Sequence, residues 1–117
     1  MAHNQIKGNR KGLKVWNVGD KEYHRLYDTV IVDFNHDSEG RTVTLNTGGW
    51  KTNHTKNCMN DFLRRFGFGV YQKDFVWYVR GREVSFSFDV DKVTFTIIDT
   101  PMGLQIGNFR EEVIRTA

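Results

Sequence analysis

The sequence predicts an α+β fold: a mostly antiparallel sheet of five to six strands with one central amphipathic helix packed on one face. Three observations carry this. Apolar residues alternate with polar ones in several short runs, which is strand periodicity. One segment alone, residues 52–67, repeats its apolar residues at the helical period. The strand-like runs are joined by short turns, which favours antiparallel neighbours.

The elements follow in the order β-β-α-β-β-β-β. Residues 27–34, "YDTVIVDF", put Val30, Val32 and Phe34 on one face. "NHDSEG" (35–40) has turn chemistry. "RTVTLNT" (41–47) sets Val43 and Leu45 opposite Thr42, Thr44 and Asn46, completing a hairpin. The helix then starts at Thr52 or Asn53, both good N-caps. Its stripe is Cys58, Met59, Phe62, Leu63 and Phe66. Arg64 and Arg65 fall in its last turn, where cations favour the dipole, and Gly67 suits the C-cap. "GVYQ" (69–72) and "FVWYVR" (75–80) form a second hairpin around Lys73-Asp74. The strand 75–80 carries large apolar groups on both faces, so it is either covered on both sides or has one face awaiting a partner. "EVSFSFDV" (83–90) aligns Val84, Phe86, Phe88 and Val90, and "KVTFTII" (92–98) aligns Val93, Phe95 and Ile97. Thr100-Pro101 ends that strand. A short helix is expected from Asn108 to Arg115.

The 117 residues fit a single domain, 1–117, with residues 1–20 a basic, loosely docked N-terminal arm anchored by Val15-Trp16. Aromatic residues make up 14% of the chain, which excludes a disordered composition. No apolar run is long enough to span a bilayer. The amino terminus is basic and has no apolar core of a secretory signal. Cys58 is the single cysteine and has no partner for an intramolecular disulfide. A cytoplasmic protein, without a membrane partner, is the expectation.

Chemistry-bearing motifs are few. His54 and Cys58 stand four apart on the helix, but a structural zinc site needs further ligands, and His3, His24 and His36 lack paired spacing. No metal site and no cofactor are expected. No phosphate-binding loop, nucleophile elbow, metalloprotease motif or dinucleotide fingerprint occurs, and the carboxylates are scattered, so no enzyme is expected.

The charge distribution says more than the net charge of +3: residues 1–28 and 51–67 each carry +3, whereas 29–50 and 85–100 each carry −2. On the helix, Asn53, Lys56, Asn57, Asn60 and Arg64 lie opposite the apolar stripe. Asn is a mediocre helix former, and Asn and Arg are side chains suited to base edges, with Lys suited to phosphate. Trp50 and Lys51 stand just upstream, after Gly48-Gly49, where a backbone can approach a ligand closely. Trp50, Lys51, Asn53, Lys56, Asn57, Asn60 and Arg64 are therefore the candidate nucleic-acid-binding residues. Tyr71, Phe75, Trp77 or Tyr78 could add stacking faces if their side of the strand is open. The bland alternative is that the aromatics are core and the asparagines are solvated. A third reading is a protein–protein inhibitor or adaptor, with aromatic anchors. A virion role and a homo-oligomer are left open.

The blocks "LNTGGWKTNHTKNCMN" (45–60) and "FGVYQKDFVWYV" (68–79) resemble a family of small phage and mobile-element proteins. Their shared features are Gly-Gly-Trp, a Thr/Lys-rich helix start and an aromatic hairpin. The resemblance implies a phage accessory protein in the cytoplasm of the host cell, and it makes a host defence or replication protein the target of the inhibitor or adaptor reading. It carries over no functional residue.

Overall fold

The computed structural model describes residues 6–7 and 10–112. The strands are β1 (Ile6–Lys7), β2 (Leu13–Val18), β3 (Lys21–Leu26), β4 (Thr29–Asp37) and β5 (Gly40–Asn46). The helix α1 (Asn53–Leu63) follows, closed by a 3-10 turn, Arg64–Phe66. Then come β6 (Gly69–Lys73), β7 (Val76–Arg80), β8 (Ser85–Phe88), β9 (Lys92–Thr100) and β10 (Gly103–Glu112). All strand pairs are antiparallel. They make two sheets, a seven-stranded one ordered β1-β2-β3-β4-β5-β9-β10 and a three-stranded one ordered β6-β7-β8. The α+β class and the central amphipathic helix match the sequence reading. The strand number and order differ from it.

Three differences have physical causes. Residues 13–18, read as part of a loose arm, form β2 and pair with β3 in register Leu13↔Leu26 to Val18↔Lys21. Leu13 is buried, and Trp16 stacks on Tyr23 across the pair, so this hairpin has an apolar anchor of its own. Residues 1–5 and 8–9 of that arm lie outside the described residues. The helix expected at 108–115 is instead the end of β10 as far as Glu112, and 113–115 lie outside the described residues. Pairing with β9, including Ile106↔Ile97 and Glu112↔Lys92, overrides the local helix preference. The single sheet becomes two because β5 passes its edge to β9, leaving the β6-β7-β8 segment to pair only with itself.

A register slip settles one detail of β4. His24 pairs with Val32 but Arg25 pairs with Val30, so Ile31 is an extra, bulged residue. The slip moves Ile31 into the core beside Val32 and Phe34 and leaves Val30 half-buried. Elsewhere the expected faces are present. Val43 and Leu45 of β5 lie opposite Phe95 and Val93 of β9, all fully buried. The helix buries Thr55, Cys58, Met59, Phe62 and Leu63, with Phe62 packed on Phe34 at 5.2 Å between ring centroids. Phe66 is half-buried in the 3-10 turn and packs on Phe62 and Phe34. Thr52 is the N-cap, its hydroxyl accepting from the Thr55 amide, and Gly67 ends the turn with φ of 78°.

Candidate nucleic-acid interface

The five helix candidates share one side of α1. At 3.6 residues per turn, Asn53, Lys56, Asn57, Asn60 and Arg64 fall within an arc of roughly 100°, opposite the buried stripe. Their environments divide them. Asn53, Asn57 and Arg64 are exposed. Arg64 has one loose ion pair, 3.7 Å to Asp61. Lys56 reaches Gln72 Oε1 at 3.3 Å and stands 5.4 Å from the Trp77 ring centroid.

Asn60 is committed to the fold. Its Nδ2 donates to the Val70 carbonyl at 3.0 Å, and its Oδ1 accepts from the Val70 amide at 2.6 Å. β6 is an edge strand, and Val70 is buried, so its outward amide and carbonyl need partners. One carboxamide supplies both, in the place of a neighbouring strand. Sequence reasoning could assign Asn60 to the polar arc but had no signal for this pairing, because β6 follows the helix by a tight turn whose geometry only the fold defines.

The segments before the helix go elsewhere. Lys51 Nζ donates to the Asp89 carbonyl at 2.9 Å. Trp50 is 68% exposed and lines a separate cleft with Tyr27 and Asp28. The structure therefore brings together the five helix residues and sets Trp50 apart from them.

The three-stranded sheet resolves the two-faced strand. Trp77 and Val79 point into the core with Val70 and Phe88. On the opposite face Tyr71 and Tyr78 sit in register and stack at 4.9 Å with an interplanar angle of 11°. Arg80 and Lys73 share that face and are exposed. Among the described residues, neither has a carboxylate within ion-pair distance. A groove lined by Asn60, Arg64, Gly69, Tyr71 and Arg80 joins this face to the helix arc. Of the aromatics considered for stacking, Tyr71 and Tyr78 are on the open face and Trp77 is not. Phe75 stands at the hairpin tip, 94% exposed.

The flank of the helix beyond the arc is tied down by ion pairs. Arg10 makes two hydrogen bonds to Asp61, at 2.7 and 3.1 Å, and these hold the Asp61 carboxyl below the usual carboxylate range. Arg65 meets Glu22 with two bonds of 2.9 Å, and His24 Nε2 lies 2.6 Å from the same carboxylate. Burial raises the Glu22 pKa, but the bonds and charges of His24 and Arg65 outweigh it and bring it to about 2. Arg10 and Arg65 are thus partly neutralised, whereas Lys56, Lys73 and Arg80 have no ion pair among the described residues and Arg64 has only the loose one to Asp61. The metal pair weighed from sequence is separated by its contacts. His54 Nε2 is 2.8 Å from the Lys11 carbonyl, and Cys58 is buried in the core with its thiol pKa raised by burial. Among the described residues, no three His, Cys, Asp or Glu side chains converge on one point.

A family model described as Kyanoviridae Gp96 protein matches residues 14–96, a span that runs from β2 into β9. The chain belongs to that phage protein family. The match includes α1, Gly48-Gly49-Trp50 and the whole three-stranded sheet. Comparison with curated proteins and with solved structures gives no significant match.

Proposed function

We propose that this phage protein is a non-enzymatic accessory protein that binds nucleic acid in the host cytoplasm. Its contact face is the helix arc together with the open side of the three-stranded sheet. The observation that carries the reading is the company of the Tyr71–Tyr78 pair: Arg64 and Arg80 line the groove beside Tyr71, and Lys73 shares the tyrosines' face. Lys56, Arg64, Lys73 and Arg80 would neutralise phosphates, and Asn53 and Asn57 would donate to and accept from base edges. Aromatic rings among cations on a sheet suit a single strand, whose bases are free to stack. Asn60 holds the helix against β6 through its two bonds to Val70.

The test is retention on single-stranded and double-stranded nucleic acid in low salt, with Lys56→Ala combined with Arg64→Ala as the comparison. Retention weakened by the double variant supports the reading, and no retention of either nucleic acid rejects it.

One observation favours a host-protein inhibitor or adaptor instead. Phe75 is almost fully exposed and has φ of 68°, beside Asp74 at 51°, in a tip where glycine is the usual second residue. A large apolar side chain in a costly backbone state suggests selection for contact. A stoichiometric host partner in a pull-down, lost in Phe75→Gly, would favour this reading.

A further inference from the structure

The cleft around Trp50 lies outside the proposed nucleic-acid face and has a different chemistry. It encloses about 320 Å³ between the β3–β4 turn, the Gly48-Gly49-Trp50 loop and the start of α1. Leu26 and Ile31 line its depth and are buried. Trp50 and Tyr27 stand at its exposed margin, 68% and 56% exposed. Asp28 is the one carboxylate among the lining residues, and no Lys or Arg lines it. Among the described residues, Asp28 has no ion-pair partner.

The aromatic margin is held in position. Tyr27 takes φ of 53°, which is costly for a bulky side chain, and its amide donates to the Gly12 carbonyl at 2.9 Å. Its ring lies so close to Gly12 that a Cβ there would come within 2.4 Å of it. His54, bonded to the Lys11 carbonyl, lies against the same ring at 6.3 Å between centroids. On the other side, a Cβ at Gly48 would meet Thr29 Oγ1 at 2.7 Å, so Gly48 lets the Trp50 loop close onto the start of β4.

We propose that this cleft binds a long-chain organic cation, an aliphatic stem ending in an ammonium or guanidinium group. The stem lies on Leu26 and Ile31, and the head group sits against the Trp50 and Tyr27 rings near the Asp28 carboxylate. Electron-rich ring faces and a carboxylate without an ion pair among the described residues attract a cation, and an apolar floor takes up its stem. The same carboxylate, in a cleft lined by no Lys or Arg, disfavours phosphate, and His54 at its edge is turned to the Lys11 carbonyl, so the cleft is chemically distinct from the nucleic-acid face. The cation is either a Lys or Arg side chain of a partner or a free alkyl diamine.

The test uses the full chain and follows the indole N–H signal of Trp50, assigned with Trp50→Phe, during titration with N-acetyl-arginine amide, its neutral isostere N-acetyl-citrulline amide, and a four-carbon diamine. The expected result is a saturable shift with one or both cations and none with citrulline. Asp28→Asn, a change in an exposed turn, should weaken that binding about tenfold. Tighter binding of the arginine derivative identifies a protein side chain as the ligand, and tighter binding of the diamine identifies a free amine. The proposal is overturned if no titrant gives a saturable shift, if citrulline binds as well as arginine, or if Asp28→Asn leaves the affinity unchanged. None of these outcomes depends on whether the protein binds nucleic acid.

Discussion

Replacing Asn60 by Ala should destabilise the protein without abolishing contact with nucleic acid. The side chain makes two hydrogen bonds to a single buried residue of an edge strand, at 3.0 and 2.6 Å. Removing it leaves one amide and one carbonyl of Val70 unpartnered. A buried polar group left unsatisfied costs about 1–3 kcal/mol. Asn60 lines an open groove, so water can reach part of the vacated space and lower that cost. The expected loss is therefore about 2 kcal/mol, which for a chain of this size lowers Tm by roughly 6–12 °C. Asn60→Asp retains the acceptor for the Val70 amide but turns an oxygen toward the Val70 carbonyl, so it should rescue little at neutral pH. Urea unfolding followed by circular dichroism measures both. A change below about 0.5 kcal/mol for Asn60→Ala, the range of ordinary surface substitutions, would refute the claim that this side chain stands in for a neighbouring strand.

Two further outcomes follow from the same geometry. Glu22 has a folded pKa of about 2 against an ordinary 4.5, so its contribution is fully present above about pH 4.5 and is lost as pH falls toward 2. The shift corresponds to at most about 3 kcal/mol, and Glu22→Gln should flatten the stability profile across that window; an unchanged acid profile would contradict the ion-pair account. Phe75→Gly should leave stability unchanged or raise it by up to about 1 kcal/mol in thermal unfolding, because glycine tolerates the left-handed backbone and no packing is lost. A marked destabilisation would mean that Phe75 serves the fold.

Much of the fold was legible in the sequence because the apolar spacing is clean. The helix stripe from Cys58 to Leu63, the Thr52 cap and the Gly67 stop are local signals, and each occupies its expected place. The Val43–Leu45 and Val93–Ile97 faces were equally clear. What was not legible depends on pairing between distant segments. The bulge at Ile31 shifts a face without changing composition. "NFREE" has helix-like residues, yet β9 draws it into a strand. The Leu13–Val18 strand was hidden behind the glycines and lysines of a segment that reads as a flexible arm. At the site, helical spacing alone gathered Asn53, Lys56, Asn57, Asn60 and Arg64 on one side. It could not reveal that Asn60 is occupied, that Trp50 belongs to another cleft, or that Arg80 and Lys73 stand beside Tyr71 and Tyr78. Those facts require the positions of β6 and β7 relative to the helix.

The most direct test of the central claim is the salt dependence of binding to a single-stranded oligonucleotide. Each phosphate neutralised contributes about −0.7 to the slope of log affinity against log salt concentration. The account predicts measurable binding at low salt, with a steep negative slope for the native protein. It also predicts a slope reduced in magnitude by about 1.4 when Lys56 and Arg64 are both replaced by Ala. No binding at low salt, or a slope that the double replacement leaves unchanged, would contradict the assignment of this face to nucleic acid.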